Sequence, residues 1–335
     1  MSEIDITKLK YSVKAFFASG EAMDLTGLCT SLTWGDEKNS IAQKADITLA
    51  NIKIDKGYIS DLIELCTQIY IDCNGKECFR GIVWDWDYTS ALEKELSFTA
   101  YDRMIYLTQS KGNTYYSSGK STQFLVEDIC KEWNTNVREN LKINISYEWE
   151  SWTHGKTPLK DMEISTQLTT VLDEAQTKLD SKYVMLMEKE VLMIRKKGSN
   201  QDVYYFHGKN VESTKDHLTL QGLVTKVLVY GKSEEEQRPP LLETVNGNLD
   251  YGTLQEIVTK DSNKTLDDAK KEAQNILKEK GKPEETINVS TVDVPMMRKG
   301  DKIKLVAGNL SGYFIVEGVT HNGFEKTMEM ELERV

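Results

Sequence analysis

The sequence predicts an α+β fold, mainly β, in which strand-rich first and last thirds flank a middle block that mixes helices with strands. Three features carry this. Apolar residues alternate at period two through the first hundred residues, take helical spacing in the middle third, and alternate again in the last. Successive strands without a long helix between them indicate a small barrel or sandwich rather than a parallel α/β sheet.

In the first third, Ala45, Ile47 and Leu49 alternate with Lys44, Asp46 and Thr48, a strand with one buried face. Residues 69–73 lead into Asn74-Gly75, the strongest hairpin-turn signal in the chain, and residues 79–88 form the returning arm. On that arm Ile82, Trp84, Trp86 and Tyr88 are expected on one face, with Val83, Asp85 and Asp87 on the other. Leu96, Phe98 and Ala100 alternate again. In the middle third, residues 122–133 place Leu125, Val126, Ile129, Cys130 and Trp133 along one helical stripe. Residues 166–180 do the same with Leu168, Val171, Leu172, Ala175 and Leu179, and Ser165 is the expected N-cap. Strands at 182–187 and 191–195 follow, joined by Glu188-Lys189-Glu190.

The last third predicts strands at 218–220, 223–230, 302–306, 313–320 and 327–332. Glu234-Glu235-Glu236 and Pro239-Pro240 mark a loop over 233–240. Thr265 and Asp268 form a capping box for a helix with the stripe Ala269, Ala273 and Ile276, stopped by Gly281 and Pro283. Residues 81–98 and 318–333 echo each other: a Gly-led strand, a polar turn, then a Glu-rich alternating strand. The echo suggests two related β-domains, one near each end.

With 335 residues the chain is long enough for two or three domains, and 39% hydrophobic residues can fill real cores. Lys and Arg number 42 against 53 Asp and Glu, a formal net charge of −11. That sign opposes specific nucleic-acid binding and attraction to anionic membranes. The longest apolar run, residues 183–187, falls far short of the roughly 20 residues that span a bilayer. The opening MSEIDITKLK has no apolar signal core, so a cleaved leader is not expected. Five cysteines, at 29, 66, 73, 78 and 130, follow no zinc-knuckle spacing. Cys73 and Cys78 bracket the hairpin turn and could face each other; reduced thiols are expected in a cytoplasmic product.

Several motifs suggest chemistry and have plainer readings. Gly119-Lys120-Ser121 resembles the end of a phosphate-binding loop, but the required earlier glycine position holds Thr114, so a helix cap is expected. The four histidines, His154, His207, His217 and His321, lack ligand spacing. Asp85 and Asp87 lie side by side on one strand face rather than across a cleft as glycosidase carboxylates do. Trp149, Trp152, Tyr115 and Tyr116 suit sugar stacking or a protein interface. Met185, Met187 and Met193 suit core gaps. No residue is assigned a catalytic, cofactor-binding or metal-binding role, and no cofactor is expected.

Phe79-Arg80-Gly81-Ile82-Val83, followed by Leu96-Ser97-Phe98-Thr99-Ala100-Tyr101-Asp102-Arg103, resembles the first domain of contractile-tail hub proteins. These are the PBSX-prophage type, related to the phage late-control gene D proteins, the T-even baseplate hub and the base of VgrG spikes. Val229-Tyr230-Gly231-Lys232, Tyr251-Gly252-Thr253-Leu254-Gln255 and the helix over 269–276 are similar to the same family. So are Gly300-Asp301-Lys302-Ile303-Lys304-Leu305, Gly312-Tyr313-Phe314-Ile315-Val316 and Val319-Thr320-His321, in the same order along nearly the whole chain.

The resemblance implies two tail-tube-like β-barrel domains, at 1–109 and 211–335, with an α/β domain inserted at 110–210 and a helical insertion around 246–285. It implies a structural baseplate hub of a phage, a phage-tail-like bacteriocin (tailocin) or a related injection system. Such a hub is a homotrimer that joins the six-fold tail tube, or a tube-initiator protein, to the three-fold spike below, alongside other baseplate proteins. His321 matches a recurrent family position and is read as structural. The expected location is the host bacterial cytoplasm during assembly, then the tail of the particle. A carboxylate-lined channel would repel a passing polyanion, in keeping with the charge of −11. The alternative is a polysaccharide- or cell-wall-acting enzyme, or a carbohydrate-binding β-module; neither accounts for the order of elements.

Overall fold

A computed structural model describes residues 5–55, 57–89, 95–232, 237–260 and 265–335. The chain divides into two compact units, Met1–Thr214 with Asn288–Val335, and Lys215–Ile287.

The first unit begins with β1 (Tyr11–Phe16), β2 (Ala22–Asp24), β3 (Cys29–Asp36) and β4 (Lys44–Ala50). A minor hairpin, β5 (Lys53–Ile54) and β6 (Gly57–Tyr58), precedes β7 (Gln68–Cys73), β8 (Lys76–Thr89), β9 (Glu95–Tyr101) and α1 (Met104–Thr108). The turn between β7 and β8 has positive φ at both Asn74 (50°) and Gly75 (80°), the conformation that makes Asn-Gly a hairpin signal. The middle block comprises β10 (Lys111–Tyr116), α2 (Thr122–Thr135), β11 (Asn144–Glu148), β12 (Thr157–Glu163), α3 (Ile164–Leu179), β13 (Tyr183–Glu188) and β14 (Val191–Lys196). After β15 (Tyr204–His207) the chain enters the second unit within β16 (Val211–Thr219). There it forms β17 (Lys226–Tyr230), β18 (Leu241–Asn246), β19 (Gln255–Thr259) and α4 (Leu266–Lys280). It returns through β20 (Glu284–Val292) and closes with β21 (Lys302–Ala307), β22 (Leu310–Asn322) and β23 (Thr327–Arg334).

The fold is α+β and mainly β, as the alternation predicts. The two expected barrels are modified: among the described residues the strands do not close on themselves. They form one sheet in the order β16-β20-β23-β22-β3-β4-β9-β8-β7-β1-β2, with β21 on β22 and β15 on β21. The join is antiparallel pairing of β22 with β3, from Val319 opposite Asp36 to Asn322 opposite Thr33. Only glycine permits it at position 35, where a Cβ would lie 2.0 Å from the carbonyl oxygen of Val319. The echoing segments are the pairs β8–β9 and β22–β23, and each carries a β-bulge, at Val83/Asp85 and Val316/Gly318. The polar turn of the first echo, 90–94, lies outside the described residues.

The bulge in β8 corrects the expected faces. Val83 stands opposite Ala100 and Trp86 opposite Phe98, so these four enter one core with Ile47 and Ile71. Trp84 is the extra residue; it packs against the core of the middle block, edge-on to Tyr106 at 5.6 Å. A bulge inserts one residue and reverses the alternation beyond it. Asp85 and Asp87 remain outward and exposed.

In the middle block, α2 buries Leu125, Val126, Ile129, Cys130 and Trp133, the predicted stripe. Each buried Leu or Ile there contributes roughly 1.5–3 kcal/mol of transfer free energy. The helix α3 begins earlier than expected. Its N-cap is Glu163, and Ser165 lies buried inside the first turn without capping it. The helices pack on each other beside two small sheets, β10-β12 and β11-β14-β13.

The second unit is a β18-β17-β19 sheet with α4 on one face. Val227, Val229 and Val258 pack under Ala269 and Ala273. The predicted capping box is present, with the Thr265 hydroxyl accepting from Asp268 N and the Asp268 carboxylate from Thr265 N. The expected strand at 223–230 begins only at Lys226, because the Thr225 hydroxyl bonds Leu254 N and the Gly252 carbonyl. The short strand expected at 218–220 is instead the end of β16. Of the expected loop, 233–236 lie outside the described residues; 237–240 have no regular structure.

Gly35→Ala should lower stability by about 3 kcal/mol through forced separation of β3 from β22. Gly75→Ala, with open space around its Cβ position but φ of +80°, should lower it by only about 1 kcal/mol. Thermal unfolding of the two variants tests the ranking, and an unaffected Gly35→Ala would contradict the close approach.

Candidate functional site

A cluster of buried charges in the first unit lies where β3 meets β22. Arg298 donates from Nε to Asp36 Oδ2 at 2.6 Å and from Nη2 to Asp36 Oδ1 at 3.0 Å. Its Nη1 reaches the Met187 carbonyl at 3.3 Å, and Lys299 N donates to Asp36 Oδ2 at 3.2 Å. Burial opposes the charge on Asp36, yet the guanidinium and these hydrogen bonds outweigh it and hold the carboxyl below its usual range. Asp301 accepts from Arg298 N at 3.0 Å and from Arg195 Nη2 at 2.7 Å. Nearby, buried Asp102 accepts from Gln43 N and Met104 N, each at 2.9 Å. Burial pushes its carboxyl up to about 7.

A second cluster sits on the same join. His321 is fully buried and stacks on Trp34, with ring centroids 5.0 Å apart. Its Nδ1 lies 2.6 Å from Asp293 Oδ1 and its Nε2 lies 3.1 Å from the Met297 carbonyl. Both ring nitrogens therefore lie within hydrogen-bonding distance of an oxygen. The Tyr11 hydroxyl donates to the other Asp293 oxygen. Burial, then Asp293, pushes that phenol far above its ordinary range.

The arrangement closest to a catalytic triad was not legible in the sequence. Thr122 Oγ1 lies 2.9 Å from His154 Nε2, and His154 Nδ1 lies 3.0 Å from Glu174 Oε2. Thr122 is fully buried, however, and its hydroxyl accepts from Trp152 N at 2.9 Å. A nucleophile must meet its substrate. This one fastens residues 151–154 to the start of α2.

The remaining sequence candidates separate in space. Ser121 is the N-cap of α2, its Oγ accepting from Phe124 N at 3.2 Å, which is the plainer reading of Gly119-Lys120-Ser121. His207 Nδ1 accepts from Lys209 N at 3.2 Å, and His217 is exposed. Trp149 is buried with Nε1 donating to Ser181 Oγ, and Tyr116 is buried, while Trp152 and Tyr115 are exposed. The four are not presented together. Met185 and Met187 join the core of the middle block. All five cysteines are free thiols. The register sets Cys73 opposite Lys76 and makes Cys78 the extra residue of a bulge. Among the described residues no group of three or more His, Cys, Asp or Glu could hold a metal ion. Among them, too, no helix is long and apolar enough to cross a membrane.

This architecture recurs in tail proteins. The fold matches the prophage MuSo2 43 kDa tail protein of Shewanella oneidensis with a TM-score of 0.70 at 11% identity, covering 97% of this chain and 98% of that one. It matches a tail protein of Neisseria meningitidis at 0.68 and 12% identity, covering 96% of each. An Escherichia coli component of the type VI secretion system, described as structurally similar to T4 bacteriophage tail proteins gp27 and gp5, matches at 0.52 and 13% identity. That match covers 98% of this chain and 77% of the other. Among curated proteins none matches in sequence. The model of the family described as YQBQ-like matches residues 32–334.

Arg298→Met should lower stability by about 3–5 kcal/mol, because it leaves Asp36 buried and uncompensated. Chemical denaturation reads this, and a loss below 1 kcal/mol would contradict it. Asp102 has a second, pH-dependent signature. The folded chain holds a proton there that the unfolded chain, titrating near about 4, has released. Its contribution to stability is therefore full below about pH 4 and is lost as pH rises to about 7. Asp102→Asn removes this dependence, so its stability relative to the parent should improve between about pH 4.5 and pH 8. Urea unfolding at both pH values should show that change; a constant difference would count against it.

Proposed function

The chain belongs to the YQBQ-like family, and from that premise we propose that it is the structural baseplate hub of a contractile tail. In this reading three copies assemble around an axis and join a six-fold tail tube, or its initiator protein, to a three-fold spike, among other baseplate proteins. The role is mechanical, with no substrate turned over. The chain is made in the host cytoplasm and ends in the tail of the particle.

The observation that carries this is the extent of the fold match: 97% of this chain is covered by a tail protein that is itself covered over 98% of its length. The two bulged hairpins, β8–β9 and β22–β23, give the reading a physical basis. They lie on either side of β3 and β4 in one sheet. Two similar arcs per chain, repeated three times, present six similar edges to a six-fold ring. On this view 1–109 and 211–335 carry the tube-like arcs and 110–210 is the insertion between them. Heterologous contacts that close into a ring build such an assembly.

Sedimentation equilibrium of the purified chain at micromolar concentration should give three times the 38.2 kDa chain mass. A strict monomer that also ignores the tube and spike proteins would overturn the proposal.

A further inference from the structure

Two exposed strips on the sheet of the first unit match each other in spacing and oppose each other in charge. The first crosses β15, β21 and β22. Tyr205 stands opposite Lys304, and Lys304 opposite Tyr313. Lys304 Nζ lies 5.4 Å from the Tyr205 ring centroid and 5.9 Å from that of Tyr313; Lys302 Nζ lies 6.0 Å from the latter. Tyr205 is 41% exposed and Tyr313 51%. Among the described residues neither lysine has an ion pair. Two aromatic faces thus hold the cations in place, and Tyr is among the side chains most often found as interface anchors.

The second strip crosses β8, β9 and β4. Asp85 stands opposite Thr99, and Thr99 opposite Asp46; Asp87 stands opposite Ser97, and Ser97 opposite Thr48. Asp85 and Asp87 are exposed. Among the described residues neither has an ion pair. Lys302 and Lys304 are two residues apart on one strand, as are Asp85 and Asp87, so each pair spans roughly 6.5–7 Å. Each strip is three strands wide, about 10 Å.

We propose that the Lys302–Lys304 strip, with its tyrosines, docks on the Asp85–Asp87 strip of a second copy of this chain. The occupant is a second copy because the matching acidic surface is on the same molecule, on a different part of the same sheet. Such a contact is heterologous: every copy offers one strip and receives the other, and the rotation between copies decides how many close the ring. It rests on the trimeric hub reading and specifies which surfaces make the trimer. It also gives the outward Asp85–Asp87 pair a role that catalysis did not supply.

The test is sedimentation equilibrium on four chains: the parent, Lys302→Glu with Lys304→Glu, Asp85→Lys with Asp87→Lys, and all four substitutions together. The parent should be trimeric. Each double variant should associate at least about a hundredfold more weakly, because like charges then meet across the contact. The fourfold variant, with both strips reversed, should recover the trimer, which also shows that the substitutions leave the fold intact. If both double variants stay trimeric, the trimer uses other surfaces and this inference fails while the hub reading stands. If the fourfold variant does not recover, charge complementarity between the strips is refuted. A parent that stays monomeric overturns this inference, and the hub reading falls with it only if that monomer also ignores the tube and spike proteins.

Discussion

The sheet of the first unit depends on how residues near opposite ends of the chain are held together. Arg298 and Asp36 are 262 residues apart and meet through two charge-assisted hydrogen bonds in a buried setting. Asp36 is also the last of the four β3 positions that pair with β22. The strand pairing is short. Its four positions span Asp36 at one end to Thr33 at the other, with the Trp34–His321 stack between. A buried ion pair is a weak source of net stability, since desolvation offsets most of the attraction. What it does well is penalise alternatives: a register shift of one residue would part Asp36 from Arg298 and leave both buried without a partner.

The same logic applies to His321. Its two nitrogens are satisfied by Asp293 and by the Met297 carbonyl, and the other Asp293 oxygen accepts from Tyr11 on β1. Tyr11 of β1 and His321 of β22 thereby meet at Asp293, and β3 joins them through Trp34, which stacks on His321. Polar groups at this junction are directional where the surrounding apolar cores are not, which is how a junction acquires a single geometry.

Much of the fold was legible because period is a local property. The strand at 44–50, the Asn-Gly hairpin, the stripe of α2 and the capping box of α4 all follow from residues within one or two turns of each other. What escaped is non-local. The β8 bulge moves Val83 to the face of Trp86 because of its partner strand, not because of its own sequence. Ser165 has the chemistry of an N-cap, but Ile164 N donates to the Ser110 carbonyl and the helix has already begun. The merging of two expected barrels depends on Gly35, one glycine among 21. The buried clusters were hidden for the same reason, since Arg298 and Asp36 carry no motif. The Asp85–Asp87 pair was visible, whereas the Tyr205–Lys304–Tyr313 row exists only once three strands are laid side by side.

The pairing of β3 with β22 also has a consequence in time. A ribosome completes β3 and β4 long before it reaches β22; at about 5–20 residues per second the delay is on the order of 15–60 s. Throughout that interval one edge of β3 has no strand beside it, and an open edge is a template for any strand that arrives. The complementary strand on a neighbouring nascent chain fits that edge as well as the chain's own. Synthesis from closely spaced ribosomes therefore sets intramolecular closure against exchange between chains, and the long wait for β22 makes this junction the place where the two outcomes diverge.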